Sequence, residues 1–361
     1  MISHYRSAAA ALAVFAIAAC AVAALASSQV QAPPDPMRPE AAGWNMAALE
    51  EVLTYAQAQK STGFVIIDHE RIIAERNWPV PDSAAQFKAG FVHGTSSDGA
   101  LLEDVASAQK SFIAILAGIA ADKGLLDISK PVLSYIGAGW SKAAPEQEQA
   151  ITVRHLLEMS SGLKENFTFD APAGTKFFYN TPVYAAMKQV LEKASKTSLD
   201  TITSDWLTAP AGMKDTGWRQ RPGGFAAAGN PTGLVTTPRD LARMGQLILD
   251  KGTSADGIRV ISETQLQSLF QRSANNPAYG KLWWLNGGDY AVAAGANSPR
   301  SEGSLIKSAP ADLVAAQGAL DRKLYVVPSR RIIVVRMGQA ADRDFNQQLW
   351  TRLMKAAPPK L

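Results

Sequence analysis

The chain has 361 residues, of which 47% are hydrophobic and 19% charged, with one cysteine and a formal net charge of +4. This length and apolar content suit one large domain or two closely packed ones, and exclude a collagen-like, disulfide-rich or largely disordered protein. A single cysteine excludes an internal disulfide and a zinc site built from several cysteines. The mild charge, without a lysine/arginine block, gives no sign of nucleic-acid binding.

The N-terminal residues have the pattern of an export signal. An uncharged run over 7–26 follows a basic start and ends in a small-x-small cleavage site, and a proline-rich linker over 27–44 comes next. We therefore expect a signal peptide over 1–26 and an exported protein, periplasmic or associated with the envelope. Cys20 lies in a sequence similar to a lipoprotein lipobox, so lipidation of Cys20 with membrane attachment, or an uncleaved anchor, is an alternative.

Hydrophobic periodicity and turn signals predict helices at both ends and in the middle of the remaining chain. Strands are predicted near the start and in the C-terminal third, where β-branched and aromatic residues are enriched. The predicted helices cover 46–59, 107–123, 152–159, 182–194, 237–250 and 344–355, and the strands cover 63–68, 71–78, 281–285, 312–316, 323–327 and 332–337. This order favours an α+β fold over 45–355: an antiparallel sheet built from both ends, flanked by the terminal helices, with an inserted helical subdomain over about 91–236.

The few histidines restrict the possible hydrolytic chemistry. None lies beyond His155, which is expected to be a packed structural residue, so the late histidine of an α/β-hydrolase has no counterpart. Neither G-x-S-x-G nor H-E-x-x-H occurs, and no histidine pair has the spacing of zinc ligands. A hydrolase with this sequence therefore needs another base.

Serine followed three residues later by lysine offers such a base. The pattern occurs at Ser107/Lys110, Ser161/Lys164 and Ser304/Lys307. Only Ser107 opens a long, nearly all-apolar helix, on which Lys110 lies one turn further along the same face. Burial lowers the pKa of a lysine, and a neutral amine can accept the proton of the serine. A helix-capping serine with a snorkelling lysine fits the same residues, so the pattern alone leaves both interpretations open.

Several segments in the right order resemble the serine β-lactamase-related superfamily. They are DVASAQKSF (104–112), GLLD (124–127), ITVRHLLEMSSGL (151–163), PTGLVTT (231–237), WW (283–284) and LYVVPS (324–329). The resemblance covers nearly all of 45–355 and implies a β-lactamase/transpeptidase-like fold. It is nearest to the class C-like branch, which holds esterases and 6-aminohexanoate-dimer hydrolases besides lactamases and D,D-peptidases.

The resemblance implies roles for two further residues near the proposed nucleophile. The Tyr-x-Asn or Tyr-x-Ser motif of the family matches Tyr179, with Thr181 as its third residue. Tyr179 is then the proton shuttle between Ser107 and the leaving group, with Lys110 holding it electrostatically, and Thr181 contacts substrate. Without the resemblance, a core aromatic is the simpler interpretation of Tyr179.

The third family motif, Lys-Thr-Gly or His-x-Gly on a strand beside the site, is altered. No K-[ST]-G occurs, and the matching strand carries Ala316-Gln317-Gly318. The resemblance implies that Gln317 and Gly318 contact substrate and that the backbone N–H groups of Ser107 and Ala319 form the oxyanion hole. The family's cation binds a substrate carboxylate, so its absence favours uncharged acyl groups.

One of the two adjacent tryptophans is expected to line the cleft, since neighbouring residues of an extended strand alternate faces. We assign Trp283 to this position. In the 6-aminohexanoate-dimer hydrolases that the chain resembles, a longer segment at this place folds over the substrate, so the short segment between Leu163 and Tyr179 implies a more open cleft.

The leading hypothesis is an exported serine hydrolase that forms an acyl-enzyme on Ser107 and acts on carboxylic esters or small amides. A β-lactamase or penicillin-binding D,D-peptidase with the same catalytic residues is one alternative. A non-catalytic envelope-binding protein of the same fold is another. No cofactor or metal is implied, and the expected partner is a small-molecule ester, amide or lactam.

Overall fold

The main sheet joins strands from both ends of the chain. The computed structural model describes residues 39–223, 229–295 and 298–359, so the expected signal peptide and Cys20 lie outside the described residues. Twelve strands occur in these ranges: β1 (Ser61–Asp68), β2 (Arg71–Asn77), β3 (Val92–Thr95), β4 (Leu101–Asp104), β5 (Gly217–Gln220), β6 (Thr232–Thr236), β7 (Trp284–Leu285), β8 (Tyr290–Val292), β9 (Arg300–Glu302), β10 (Val314–Gly318), β11 (Arg322–Val327) and β12 (Ile332–Gly338).

Eleven α-helices occur in the same ranges. They are α1 (Met46–Ala58), α2 (Ala85–Phe91), α3 (Gln109–Asp122), α4 (Leu133–Ile136), α5 (Pro145–Gln149), α6 (Val153–Leu157), α7 (Thr181–Ser195), α8 (Leu199–Thr203), α9 (Pro238–Leu249), α10 (Glu263–Leu269) and α11 (Phe345–Ala356). None of them combines the length and apolarity needed to cross a bilayer.

The six strands of the main sheet run in the order β2-β1-β12-β11-β10-β7, and the five pairings between neighbours are antiparallel. One face packs on the terminal helices: Tyr325 of β11 lies edge-on to Trp350 of α11, with ring centroids 5.5 Å apart. The opposite face packs on α9, where a Cβ added to Gly245 would meet Leu324 and Ile333 of the sheet. This is the expected α+β arrangement, with the sheet covered by the terminal helices.

A second sheet, in the order β3-β4-β6-β5, lies in the region predicted as the helical subdomain. Besides α3–α8, the region 91–236 therefore contains four short strands that the sequence did not reveal. β4 ends at Asp104, directly before the segment that carries Ser107. The second sheet thus fixes one end of the connection to α3.

Helix α3 passes through the centre of the protein. All residues from Gln109 to Ala120 are buried, because the helix contacts α7 on one side and α10 on another. Gly118 allows the segment just before α10 to come close, since a Cβ at this position would lie 2.6 Å from the side chain of Ile261. Lys110, in the first turn of α3, therefore lies in the protein interior.

Candidate active site

Ser107 lies in a 3-10 turn, Ala106–Ala108, between β4 and α3. Ala106 has φ +50°, in the left-handed region, which costs a non-glycine residue about 1–3 kcal/mol. Its backbone N–H donates a 2.7 Å hydrogen bond to Asp104 Oδ1. The resulting tight bend leaves the side chain of Ser107 half-buried, while Ala108 and the following residues are buried.

Lys110 lies one helical turn beyond Ser107. Its Nζ is 3.1 Å from Ser107 Oγ and 3.2 Å from Thr181 Oγ1, and the residue is 2% exposed. Burial lowers the pKa of Lys110 well below its usual value, and the positive charges of Arg221 and Lys188 lower it further. A neutral amine next to a serine hydroxyl is the arrangement that proton removal from the serine requires.

Two tyrosine rings flank the amine. The Lys110 Nζ is 4.9 Å from the ring centroid of Tyr179 and 4.6 Å from that of Tyr184. Burial raises the pKa of Tyr179 to about 12, with a hydrogen bond to Ser107 acting in the opposite direction. The phenol of Tyr179 is therefore protonated near neutral pH and can serve as a proton donor.

The sequence around Tyr179 sets its position at the start of α7. Asn180 is the N-cap of this helix: its side chain accepts a hydrogen bond from Val183 N (3.2 Å) and donates one to Leu163 O (2.8 Å). Proline in the first turn suits a helix start. Tyr179 thus precedes the helix and Thr181 begins it, which brings both side chains to Lys110.

The end of β10 lies against the turn that carries Ser107. A Cβ added to Gly318 would lie 2.1 Å from Val105 O and 3.2 Å from Ala108 N, so only glycine allows this approach. Ala319, the next residue, is exposed, and its carbonyl accepts a 3.1 Å hydrogen bond from Arg322 Nη1. The strand expected to border the nucleophile therefore does so.

Gln317 is the polar side chain of this strand. It pairs across the sheet with Lys323 of β11, whose Nζ donates a 2.7 Å hydrogen bond to Gln317 Oε1. Because an ammonium group can only donate, this contact fixes the orientation of the amide and leaves its NH₂ group available to another acceptor. Ala316, which the resemblance aligns with the family's cation, is fully buried.

A beta-lactamase family model matches residues 46–357. The chain belongs to the beta-lactamase family. Members of this family are serine hydrolases, and the β-lactamase/transpeptidase-like fold expected from the sequence is the one observed.

Solved structures of this family share the fold at low sequence identity. A candidate beta-lactamase from Bacteroides dorei superposes with a TM-score of 0.64 and 14% identity, covering 87% of this chain and 99% of its own. A candidate 6-aminohexanoate-dimer hydrolase from Bacillus anthracis gives a TM-score of 0.61 and 16% identity, and the match covers 86% of this chain and 81% of the hydrolase. EstCE1, a hydrolase with promiscuous acyltransferase activity, gives a TM-score of 0.60 and 14% identity, and the match covers 87% of this chain and 100% of EstCE1. No curated protein matches the sequence.

The aromatic ring beside the tyrosine is that of Trp284, not Trp283. Trp284 stacks on Tyr179 with centroids 5.7 Å apart, and Tyr279 lies edge-on to Trp284 at 4.9 Å. Trp283 is fully buried and lies edge-on to Phe270 at 5.4 Å. The expectation that Trp283 lines the cleft is therefore wrong, because its ring faces the core.

Two charged residues near the site, Arg221 and Lys188, belong to no recognisable sequence motif. Arg221 forms a two-point ion pair with Asp104, through Nε–Oδ2 (2.7 Å) and Nη2–Oδ1 (2.9 Å). The buried Nζ of Lys188 donates to Asn230 Oδ1, Thr232 O and Thr232 Oγ1, and burial lowers the pKa of Lys188 to about 7. The position of Asp104 three residues before Ser107 was the one available signal.

Proposed function

We propose that this protein is an exported serine hydrolase that forms an acyl-enzyme on Ser107 and acts on carboxylic esters or small amides. One observation carries the proposal: a half-buried serine hydroxyl lies 3.1 Å from a buried lysine amine of lowered pKa, and the ring of Tyr179 lies 4.9 Å from the same amine. Membership of the beta-lactamase family supports hydrolysis as the type of reaction.

In the acylation step the neutral amine of Lys110 accepts the proton of Ser107 as Oγ attacks the carbonyl carbon. The backbone N–H groups of Ser107 and Ala319 are the proposed donors to the oxyanion, since the end of β10 abuts the serine turn. Tyr179 donates its proton to the leaving group and is reprotonated from Lys110. The Ser107–acyl bond forms as the bond to the leaving group breaks.

Deacylation uses the same residues in the reverse direction. A water molecule attacks the acyl carbon and loses a proton to the Lys110–Tyr179 pair, which returns it to Ser107 Oγ as the carboxylic acid leaves. Thr181 holds Lys110 through its hydroxyl, so we assign it to positioning the base as well as to the substrate side of the cleft.

The strand beside the serine supports an uncharged substrate. Ala316 offers no cation for a carboxylate, and Lys323 is buried behind Gln317 with Asp321 3.4 Å away as its counter-ion. The NH₂ group of Gln317 is a neutral donor suited to a carbonyl oxygen of the acyl chain. A β-lactamase or D,D-peptidase with the same three catalytic residues lacks its usual carboxylate anchor here.

Export is part of the proposal on the basis of the leader-like sequence over 1–26 and the proline-rich segment after it. Cleavage before Ser27 and lipidation of Cys20 predict different mature N-termini. Mass spectrometry of the N-terminal peptide of the secreted or membrane fraction separates the two.

The decisive experiment is covalent labelling of the purified protein with a fluorophosphonate, followed by intact mass and peptide mapping, with Ser107→Ala alongside. A single adduct on Ser107 that the variant lacks is expected. No adduct, or an adduct on another serine, rejects acylation at Ser107 and favours a non-catalytic binding protein. Turnover of p-nitrophenyl esters well above that of nitrocefin supports the ester assignment, and the reverse supports a lactamase.

A further inference from the structure

Ser107 follows Ala106, whose left-handed backbone conformation is sterically unfavourable for alanine. The left-handed φ of Ala106, +50°, is stabilised by a hydrogen bond from its N–H to Asp104 Oδ1 at 2.7 Å. Asp104 is 1% exposed, so its carboxylate depends on protein groups for its remaining contacts. The position of the Asp104 carboxylate therefore determines the direction of the backbone at Ser107.

Arg221, directly after β5, contacts the carboxylate across the intervening strand β6. Its guanidinium contacts both oxygens of Asp104, at 2.7 and 2.9 Å, and Nη1 donates a 3.1 Å hydrogen bond to Asn230 O. The two-point contact sets the plane of the carboxylate as well as its distance. The arginine is itself anchored, because its backbone N–H donates to Pro231 O.

The neighbouring strand is shaped around this pair. A Cβ added to Gly233 would lie 2.0 Å from Asp104 Oδ2 and 2.8 Å from Arg221 Nε, so a side chain at this position would displace the carboxylate. Glycine, aspartate and arginine thus come from three separate parts of the sequence and meet directly behind the serine turn.

We propose that Asp104 and Arg221 are positioning residues, which hold Ser107 in its attacking position by fixing Ala106 in the left-handed conformation. The inference rests on the proposed acylation at Ser107 and adds a device that acts through the backbone. Glycine adopts the same φ without the steric cost. A glycine at 106 should therefore reduce the dependence of Ser107 on the ion pair.

The test is a cycle of Asp104→Asn, Ala106→Gly and the double variant in the full chain, with p-nitrophenyl acetate turnover and the rate of fluorophosphonate labelling as readouts. We expect Asp104→Asn to lower kcat and the labelling rate by up to about 100-fold with little change in KM, since small displacements of a reacting group have effects of this size. Ala106→Gly alone should change little, and the double variant should recover most of the loss.

Asp240→Asn is the matched control. Asp240 is also fully buried, accepts a backbone N–H (Asp215, 2.7 Å) and is paired with an arginine, Arg243, but its ion pair lies on α9. Asp240→Asn should lower the melting temperature, and adding Ala106→Gly should restore neither its turnover nor its labelling rate. Equal recovery in both backgrounds, or a folded Asp104→Asn with wild-type kcat, overturns the proposal.

Melting temperatures of the same variants give a second readout that does not need activity. If Asp104 holds Ala106 in place, Ala106→Gly should raise the melting temperature more in Asp104→Asn than in the wild type, and identical changes contradict the proposal. If Asp104→Asn fails to fold, Arg221→Lys takes its place in the cycle. This variant keeps the positive charge but loses the two-point contact with Asp104. A wild type that is not labelled at Ser107 rejects the proposed function, while the melting cycle still decides on the positioning residues.

Discussion

The Nζ of Lys110 lies 3.1 Å from Ser107 Oγ in a part of the protein where the lysine is almost wholly buried. At this distance Lys110 could act as a general base or as a permanent positive charge. Substitution by arginine separates the two roles. Arginine keeps the charge but does not deprotonate in proteins. We expect Lys110→Arg to lower kcat/KM and the labelling rate about 10²–10⁴-fold, the usual contribution of general-base catalysis. Retention of activity in this variant would contradict the role of Lys110 as base.

Burial of Lys110 also predicts a conflict between stability and activity. The pKa of Lys110 in the folded protein is well below the usual lysine value of 10.5, so the unfolded chain binds more protons between the two values, and stability increases with pH across that interval. At neutral pH the lysine therefore lowers the free energy of unfolding. Lys110→Met should be inactive yet melt at a higher temperature, with an advantage that shrinks as the pH rises towards 10.5. Chemical denaturation of both proteins at several pH values measures this.

The same pKa shifts predict the pH dependence of catalysis. The acylation rate should rise as pH increases through the pKa of Lys110, because the neutral amine is the active form. It should stay high into the alkaline range, since burial raises the pKa of Tyr179 to about 12 and keeps its phenol protonated. Fluorophosphonate labelling rates across pH test this. A rate that falls steadily from acidic to neutral pH would be incompatible with a lysine base.

Elements with local signals could be predicted from the sequence. The start of α9 is one case: the sequence predicts a helix over 237–250, and the Thr237 side chain caps it by accepting a hydrogen bond from Asp240 N. The strands predicted over 323–327 and 332–337 are a second case: β11 and β12 lie within a residue of these bounds. Periodicity and capping act within a few residues, so sequence reasoning reaches them.

Features that depend on distant pairing could not be predicted. Strands β3 and β4 have four residues each and are absent from the predicted strands, because β4 is stabilised by pairing with β6, far along the chain. The ion pair of Asp104 and Arg221 joins residues 117 positions apart. Leu282 adopts a left-handed φ of +59°, which interrupts the expected strand over 281–285 and decides which tryptophan faces the site.

The two adjacent tryptophans give a matched pair of variants. Trp284→Phe removes part of the ring that stacks on Tyr179, so we expect kcat to fall, by up to about 100-fold if the phenol moves. Trp283→Phe should leave kcat unchanged and lower the free energy of unfolding by about 0.5–3 kcal/mol, as is usual for a core substitution. The measurements are steady-state kinetics and urea denaturation. A larger kcat effect at Trp283 would restore the original assignment.

The Lys323–Gln317 contact predicts how the enzyme discriminates among esters. With Oε1 held by Lys323 at 2.7 Å, the NH₂ group of Gln317 can donate to a carbonyl in the acyl chain. Gln317→Leu should raise KM for the p-nitrophenyl ester of N-acetylglycine about 2- to 10-fold, the range for one neutral hydrogen bond, and leave p-nitrophenyl butyrate unaffected. Lys323→Met frees the amide to rotate, so a smaller increase for the same ester is expected. Equal losses with both esters would show that these variants disturb β10 itself and that Gln317 does not read the acyl chain.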